Sequence, residues 1–162
     1  MKLRLGRFVV VLVAGALAVP AALAQPPVKE PLVSEPMEFP AGVVCPFPVL
    51  GESVSGNESI TFFASGRFHI TGTGSTRFTN LDTGESIVLD TSGSVSFLPL
   101  PDGNVAIAGH GRNLFFFLPQ DVGGAGLFLL TGQVSEILDA TTDTITVSES
   151  RGQRTDVCAA LS

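Results

Sequence analysis

The sequence predicts an all-β domain built as a single antiparallel meander. Glycines recur every 8 to 10 residues between Gly56 and Gly111, and the segments between them are rich in Val, Ile, Thr and Phe. This spacing is typical of short strands joined by turns. Only residues 155–161 have the pattern of a helical turn. We therefore expect roughly nine or ten strands closed into a β-barrel, because closure leaves no strand edge exposed. A two-sheet β-sandwich is the alternative.

The first 24 residues have the three parts of an export signal. Basic residues precede an uncharged apolar run at 8–19, and small residues at 22 and 24 give a cleavage pattern between Ala24 and Gln25. The apolar run is too short for a comfortable membrane span. We expect a secreted, extracellular protein with no membrane attachment once residues 1–24 are removed. A retained N-terminal anchor is the alternative.

Residues 25–44 predict a flexible linker. Five prolines and several acidic residues occur in this segment, and proline breaks helices and central strands. Such a composition favours an extended, mobile spacer, with a Pro-rich recognition motif as the alternative. The folded all-β domain is then expected to span residues 45–162.

The chain has two cysteines, Cys45 and Cys158. In an oxidising compartment they allow one pairing, and a disulfide between them ties the start of the domain to its end. On the chain-entropy model, closing a loop of this length stabilises a fold by about 4–5 kcal/mol. A redox pair or a thiol nucleophile is the alternative, but redox pairs are usually close in sequence.

Within the domain, alternating apolar and polar residues predict strands with one buried and one solvent-facing side. Turns are indicated by Asn-Leu-Asp-Thr-Gly at 80–84 and by Leu-Pro-Asp-Gly at 100–103. The alternating segments are, in chain order, 60–64, 75–79, 86–90, 94–97, 104–107 and 144–148.

Two further strands, at 114–118 and 127–130, are apolar on both faces. We expect them to pair as neighbours, and their second face must be covered. The protein itself, through the Pro-rich segment or a loop, is the simplest cover. Another chain or an apolar ligand is the alternative. The candidate ligand or partner face consists of Phe115, Phe117, Phe128 and Leu130.

Charge and composition exclude several classes of function. The chain has 9 Lys+Arg and 15 Asp+Glu, and its net charge of −6 disfavours nucleic acid and anionic membranes as partners. The only Lys after the signal is Lys29, so the folded domain has no lysine for Schiff-base chemistry.

Polar residues that could carry chemistry are few. His69, His110 and Arg112 are the candidates, but no nucleophile-elbow motif places three catalytic groups together. Metal-ligand spacings such as HExxH or CxxC are missing, and Asp139 and Asp143 suit a turn as well as a calcium site. We expect no cofactor and no catalytic residue.

Five short motifs resemble a group of small secreted actinobacterial proteins. They are Cys-Pro-Phe-Pro-Val at 45–49, Thr-Gly-Thr-Gly-Ser at 71–75, Thr-Asn-Leu-Asp-Thr-Gly at 79–84, Gln-Asp-Val-Gly-Gly-Ala-Gly-Leu at 120–127 and Thr-Asp-Val-Cys-Ala-Ala-Leu-Ser at 155–162. The resemblance covers residues 45–162. It implies an actinobacterial source and the disulfide, and it transfers no active site.

Three functions remain open on the sequence. The first is a non-catalytic extracellular binding or structural module, expected to be monomeric. The second is a barrel that carries an apolar small molecule. The third is a secreted hydrolase or isomerase that uses His69 or His110 with carboxylates. The expected partner is an extracellular protein or an apolar small molecule.

Overall fold

The computed structural model describes residues 26–162, so the predicted export signal lies outside the described residues. Nine strands and one short helix are present in this range. They are β1 (Val28–Pro31), β2 (Met37–Phe39), β3 (Val49–Phe62), β4 (Phe68–Asn80), β5 (Ser86–Asp90), β6 (Gly93–Pro99), β7 (Val105–Phe117), β8 (Gly126–Asp139), β9 (Thr144–Asp156) and α1 (Val157–Ala160). No helix in this part of the chain is long and apolar enough to cross a membrane.

All nine strands belong to one antiparallel sheet, which confirms the all-β prediction. The strand order is β1-β3-β4-β6-β7-β8-β9, while β2 adds to the start of β3 and β5 adds to the end of β4. The sheet is not closed, because β1 and β9 are its two edges. The predicted barrel is therefore not confirmed.

The segment predicted as a linker runs along β3. Within it, β1 pairs with the end of β3, where Val28 lies opposite Phe62, and β2 pairs with its start, where Met37 lies opposite Gly51. Phe39 at the end of β2 is buried. The segment is extended, as its prolines predict, but backbone pairing holds two parts of it on the sheet.

The regularly spaced glycines have two different structural roles. Gly66, Gly84 and Gly103 lie in turns with positive φ, as the spacing predicts. The prediction is wrong for the other four, which lie within paired strands: Gly56, Gly74, Gly93 and Gly111. The long strands of 13 or 14 residues exceed the glycine spacing, so a glycine falls inside each of them.

Five strand glycines form a row across the sheet, which we call the glycine crease. Gly72 on β4 lies opposite Gly93 on β6. Gly93 lies opposite Gly111, Gly111 opposite Gly132, and Gly132 opposite Gly152. Gly132 has φ +117° and Gly152 has φ +141°. A Cβ on Gly132 would overlap the carbonyl oxygen of Arg151, and one on Gly152 would overlap that of Thr131. Only glycine permits backbones to approach so closely.

At the glycine crease β7 folds back on itself. A Cβ built on Gly109 lies 3.3 Å from the Phe115 ring, although six residues separate the two. In a straight strand six residues span about 20 Å. The amide of Asn113 donates a hydrogen bond to the carbonyl of His110 across the bend (3.0 Å). The two halves of β7 therefore face one another. β8 bends in the same way, because it is paired with β7 along its length.

One hydrophobic core joins the segment around Cys45 to the C-terminal residues around α1. The disulfide between Cys45 and Cys158, predicted from the sequence, is present with Cα atoms 5.5 Å apart. The Asn80 side-chain amide donates to the Leu161 carbonyl (3.0 Å). The buried members of this core are Phe39, Val44, Cys45, Val49, Phe78, Leu127, Val157, Cys158 and Leu161.

A second core fills the inside of the fold-back. Its buried residues come from both halves of β7 and β8, so the two halves pack against one another. They are Ile107, Phe115, Phe117, Phe128, Leu130 and Val134. The candidate functional site lies between these two halves.

Candidate functional site

The two strands that are apolar on both faces pair as neighbours, as predicted. Phe115 lies opposite Phe128, and Leu114 lies opposite Leu129. Alternation divides the phenylalanines between two sides, with Phe117 buried and Phe116 47% exposed. The Phe116 ring contacts Phe39 from β2, with centroids 5.3 Å apart. The protein itself therefore buries one side of these strands and partly covers the other.

The four residues expected to form a ligand or partner face all lie in the second core. Phe115, Phe117, Phe128 and Leu130 are each less than 10% exposed. The Arg154 guanidinium lies 3.5 Å above the Phe128 ring centroid. These side chains do not form an open surface in the free chain. Phe115 instead borders a cavity.

The cavity has a volume of about 480 Å³ and lies inside the folded sheet. Its size is within the range of small-molecule sites, which are usually mostly apolar with a few polar groups. A neighbouring cavity of about 230 Å³ lies under residues 34–39 and shares part of the same wall. The apolar lining of the larger cavity comprises Ile70, Val95, Phe97, Ile107, Leu114, Phe115, Phe116, Leu118, Leu138 and Ile145.

Three carboxyl groups also line this cavity, on Asp121, Glu136 and Asp143. The Asp121 carboxylate accepts hydrogen bonds from the backbone N–H groups of Leu118 (2.6 Å) and Ile145 (2.8 Å). These bonds hold the β7–β8 loop against the start of β9. Asp121 therefore has a structural role in closing the end of the fold-back.

Glu136 is the most buried charged residue of the described chain, with 3% exposure. One of its oxygens, Oε1, accepts a hydrogen bond from the Ser148 hydroxyl (3.2 Å). Burial raises the pKa of Glu136 to about 7. The hydrogen bond from Ser148 acts to lower this pKa, and the nearby Asp121 charge acts to raise it. At neutral pH the carboxyl group is thus close to equal populations of its two protonation states.

We expect Glu136→Gln to remove a pH dependence of stability. The folded pKa lies above the ordinary 4.5, so the native state keeps the proton where the unfolded chain has lost it. The free energy of unfolding then falls as pH rises from 4.5 to about 7, by up to about 3 kcal/mol. The variant should lack this fall and be more stable than wild type at pH 8. Urea unfolding across this pH range measures it.

The exposed Glu149, which lies on β9, provides the control substitution. Glu149→Gln should retain the wild-type fall in stability, because its carboxyl group is in solvent. A fall of unchanged size in Glu136→Gln would contradict the assignment to Glu136.

The two histidines are not brought together with carboxylates. His69 Nδ1 lies 2.7 Å from the Ser96 hydroxyl, and no carboxylate of the described residues is hydrogen-bonded to either imidazole. His110 is exposed and lies opposite Ser94 and Gln133 in the register. Neither histidine lines the large cavity. A Ser–His contact alone lacks the orienting acid of a catalytic triad.

Arg112 is engaged in a surface contact. Its guanidinium lies 3.6 Å from the Asp90 carboxylate, with both side chains nearly half exposed. Hydrogen bonds from Ser92 lower the pKa of Asp90, with a smaller contribution from Arg112. An exposed pair of this kind contributes little to stability.

The acidic β8–β9 turn is organised by its own backbone. The Asp139 carboxylate accepts hydrogen bonds from the backbone N–H groups of Thr141 (2.8 Å) and Thr142 (3.2 Å), and these bonds lower its pKa. Within residues 26–162 no group of three or more potential ligands is arranged for a metal ion. Asp139 thus has the role of an ordinary turn residue.

Sequence reasoning missed Glu136, although a signal for it exists. Glu136 is in phase with Val134 and Leu138 along β8, and period-two alternation places all three on one side of the strand. A comparison with protein-family models, with curated proteins and with solved structures found no match.

Proposed function

We propose that this protein is an exported, non-catalytic binding module that holds an apolar small molecule in the cavity of the folded sheet. The observation that carries the proposal is a cavity of about 480 Å³ with mainly apolar walls and one deeply buried carboxyl group. Cavities of this composition favour small ligands over protein partners, which need broad exposed patches. The export and the extracellular site of action are part of the proposal.

The position of the cavity supports a carrier rather than an enzyme. Its walls come from β4, β6, β7, β8 and the start of β9, which are strands of one sheet, and from the loops at either end of β8. Its lining contains no Ser, Cys, His or Lys side chain among the described residues, so it offers no hydroxyl, thiol, imidazole or amine nucleophile from these residue types. A barrel is not needed for this proposal, because the fold-back forms a partly enclosed apolar space between its two halves.

The test uses the fluorescent probe N-phenyl-1-naphthylamine, which is neutral and brightens in apolar surroundings. The mature protein should bind the probe saturably. Ile145→Phe should weaken binding at least about tenfold, since the larger ring takes up volume inside the cavity. Fluorescence titration, with thermal unfolding to verify the fold, measures both.

Val147→Phe is the matched control, since it lies on the same strand but is 44% exposed and does not line the cavity. It should bind the probe as wild type does. If the folded protein binds no probe, or if both variants bind equally, the proposed function is wrong.

A further inference from the structure

We propose that the cavity prefers apolar molecules that carry a basic nitrogen, and that Glu136 is the residue that holds the nitrogen. This inference rests on the proposed function and names the class of ligand for the same cavity. The geometry that supports it is a carboxyl group placed among apolar side chains rather than at the rim.

Glu136 is surrounded by apolar groups from its own strand and the next. It lies between Val134 and Leu138 on β8 and directly opposite Ile107 on β7. Val134 and Ile107 belong to the second core, and Leu138 packs against it. A ligand that fills the apolar space therefore meets Glu136 at the cavity wall. A charge-assisted hydrogen bond in such surroundings is roughly twice as strong as one between neutral groups.

One oxygen of Glu136 is available for a ligand. The Ser148 hydroxyl bonds to Oε1, and no donor of the described residues bonds to Oε2. Every fully buried side-chain oxygen or nitrogen in residues 26–162 has a hydrogen-bond partner. Oε2 has no such partner, so it is not fully buried. A ligand's ammonium group supplies the donor that the protein does not.

The charge around Glu136 has one sign. Asp121 from the β7–β8 loop and Asp143 from the β8–β9 turn also line the cavity, and no Lys, Arg or His of the described residues does. A cation is therefore attracted by all three carboxyl groups, whereas an anion is repelled. The cavity selects ligands by charge as well as by apolar surface.

The same arrangement predicts how the preference changes with pH. Burial gives Glu136 a pKa of about 7, while an alkylamine stays protonated well above this value. At pH 8 the carboxylate and the ammonium group are both charged, and at pH 5.5 the carboxyl group is mainly protonated. The preference for the amine should therefore be larger at pH 8 than at pH 5.5.

The experiment compares three probes with the same tail, 4-phenylbutylamine, 4-phenylbutanol and 4-phenylbutyrate. Each displaces N-phenyl-1-naphthylamine from the mature protein at pH 8 and pH 5.5. At pH 8 the amine should bind at least about tenfold more tightly than the alcohol, because a charge-assisted bond replaces a neutral one. The acid should bind most weakly.

Glu136→Gln should reduce the amine preference at pH 8 to nearly that of the alcohol while leaving the alcohol affinity almost unchanged. Glu149→Gln, whose side chain is exposed on β9, should keep the full preference. If the alcohol binds but the amine binds no better, or if Glu136→Gln retains the preference, this inference is overturned and the proposed function stands. If the folded protein binds N-phenyl-1-naphthylamine but none of the three probes displaces it, only this inference is overturned. If it does not bind N-phenyl-1-naphthylamine, both are overturned.

Discussion

Gly132→Ala is expected to destabilise the protein by roughly 3–5 kcal/mol. The residue has φ +117°, which an L side chain rarely adopts, and its new Cβ would overlap the backbone carbonyl oxygen of Arg151. Relief of this overlap requires β8 and β9 to separate at the glycine crease. Urea unfolding of the purified variant measures the loss.

Gly84→Ala distinguishes the free-energy cost of a positive φ from the cost of close backbone approach. Gly84 also has positive φ (+79°), but a Cβ there meets no atom within 4 Å. Its substitution should cost only about 1–2 kcal/mol, from the backbone conformation alone. Equal losses for the two variants would mean that close backbone approach at the glycine crease is unimportant.

Loss of the disulfide should lower the free energy of unfolding by about 4 kcal/mol, the second large effect. Cys45 and Cys158 are separated by 113 residues, so the bond strongly restricts the unfolded chain. It also holds the loop before β3 against α1 in the first core. The Cys45→Ala/Cys158→Ala double variant tests this in urea, compared with the oxidised protein.

Reduced wild type is the control for packing. It keeps both sulfur atoms in the core, so a loss of similar size in reduced protein and in the double variant assigns the effect to the cross-link. A double variant within about 1 kcal/mol of the oxidised protein would contradict the chain-entropy account.

The sequence was sufficient for local features of the fold. Alternation over short segments predicted the strands, and the paired apolar runs around Phe115 and Phe128 are adjacent as expected. Two cysteines allow one intramolecular pairing, so the number of cysteines was enough to predict which residues form the disulfide. The paired strands β1 and β2 were missed because backbone hydrogen bonds to β3 leave little trace in side-chain pattern.

The fold-back was not predictable from spacing alone. Gly84 in a turn and Gly111 in a strand both belong to the regular glycine spacing, so the spacing does not distinguish their roles. The cavity depends on the fold-back, because it brings the halves of β7 and β8 face to face. The burial of Glu136 depends on the same fold-back, which covers the side of β8 that Glu136 shares with Val134 and Leu138.

The free edge of β9 has a consequence for aggregation. An edge strand of 13 residues presents unpaired backbone groups on which a strand from another molecule can add. Along β9, Glu149, Arg151, Arg154 and Asp156 are exposed, and Gly152 distorts the strand at φ +141°. Charge and local distortion both oppose edge-to-edge addition. The longest open edge of the sheet is thus protected against amyloid-like growth by its own composition.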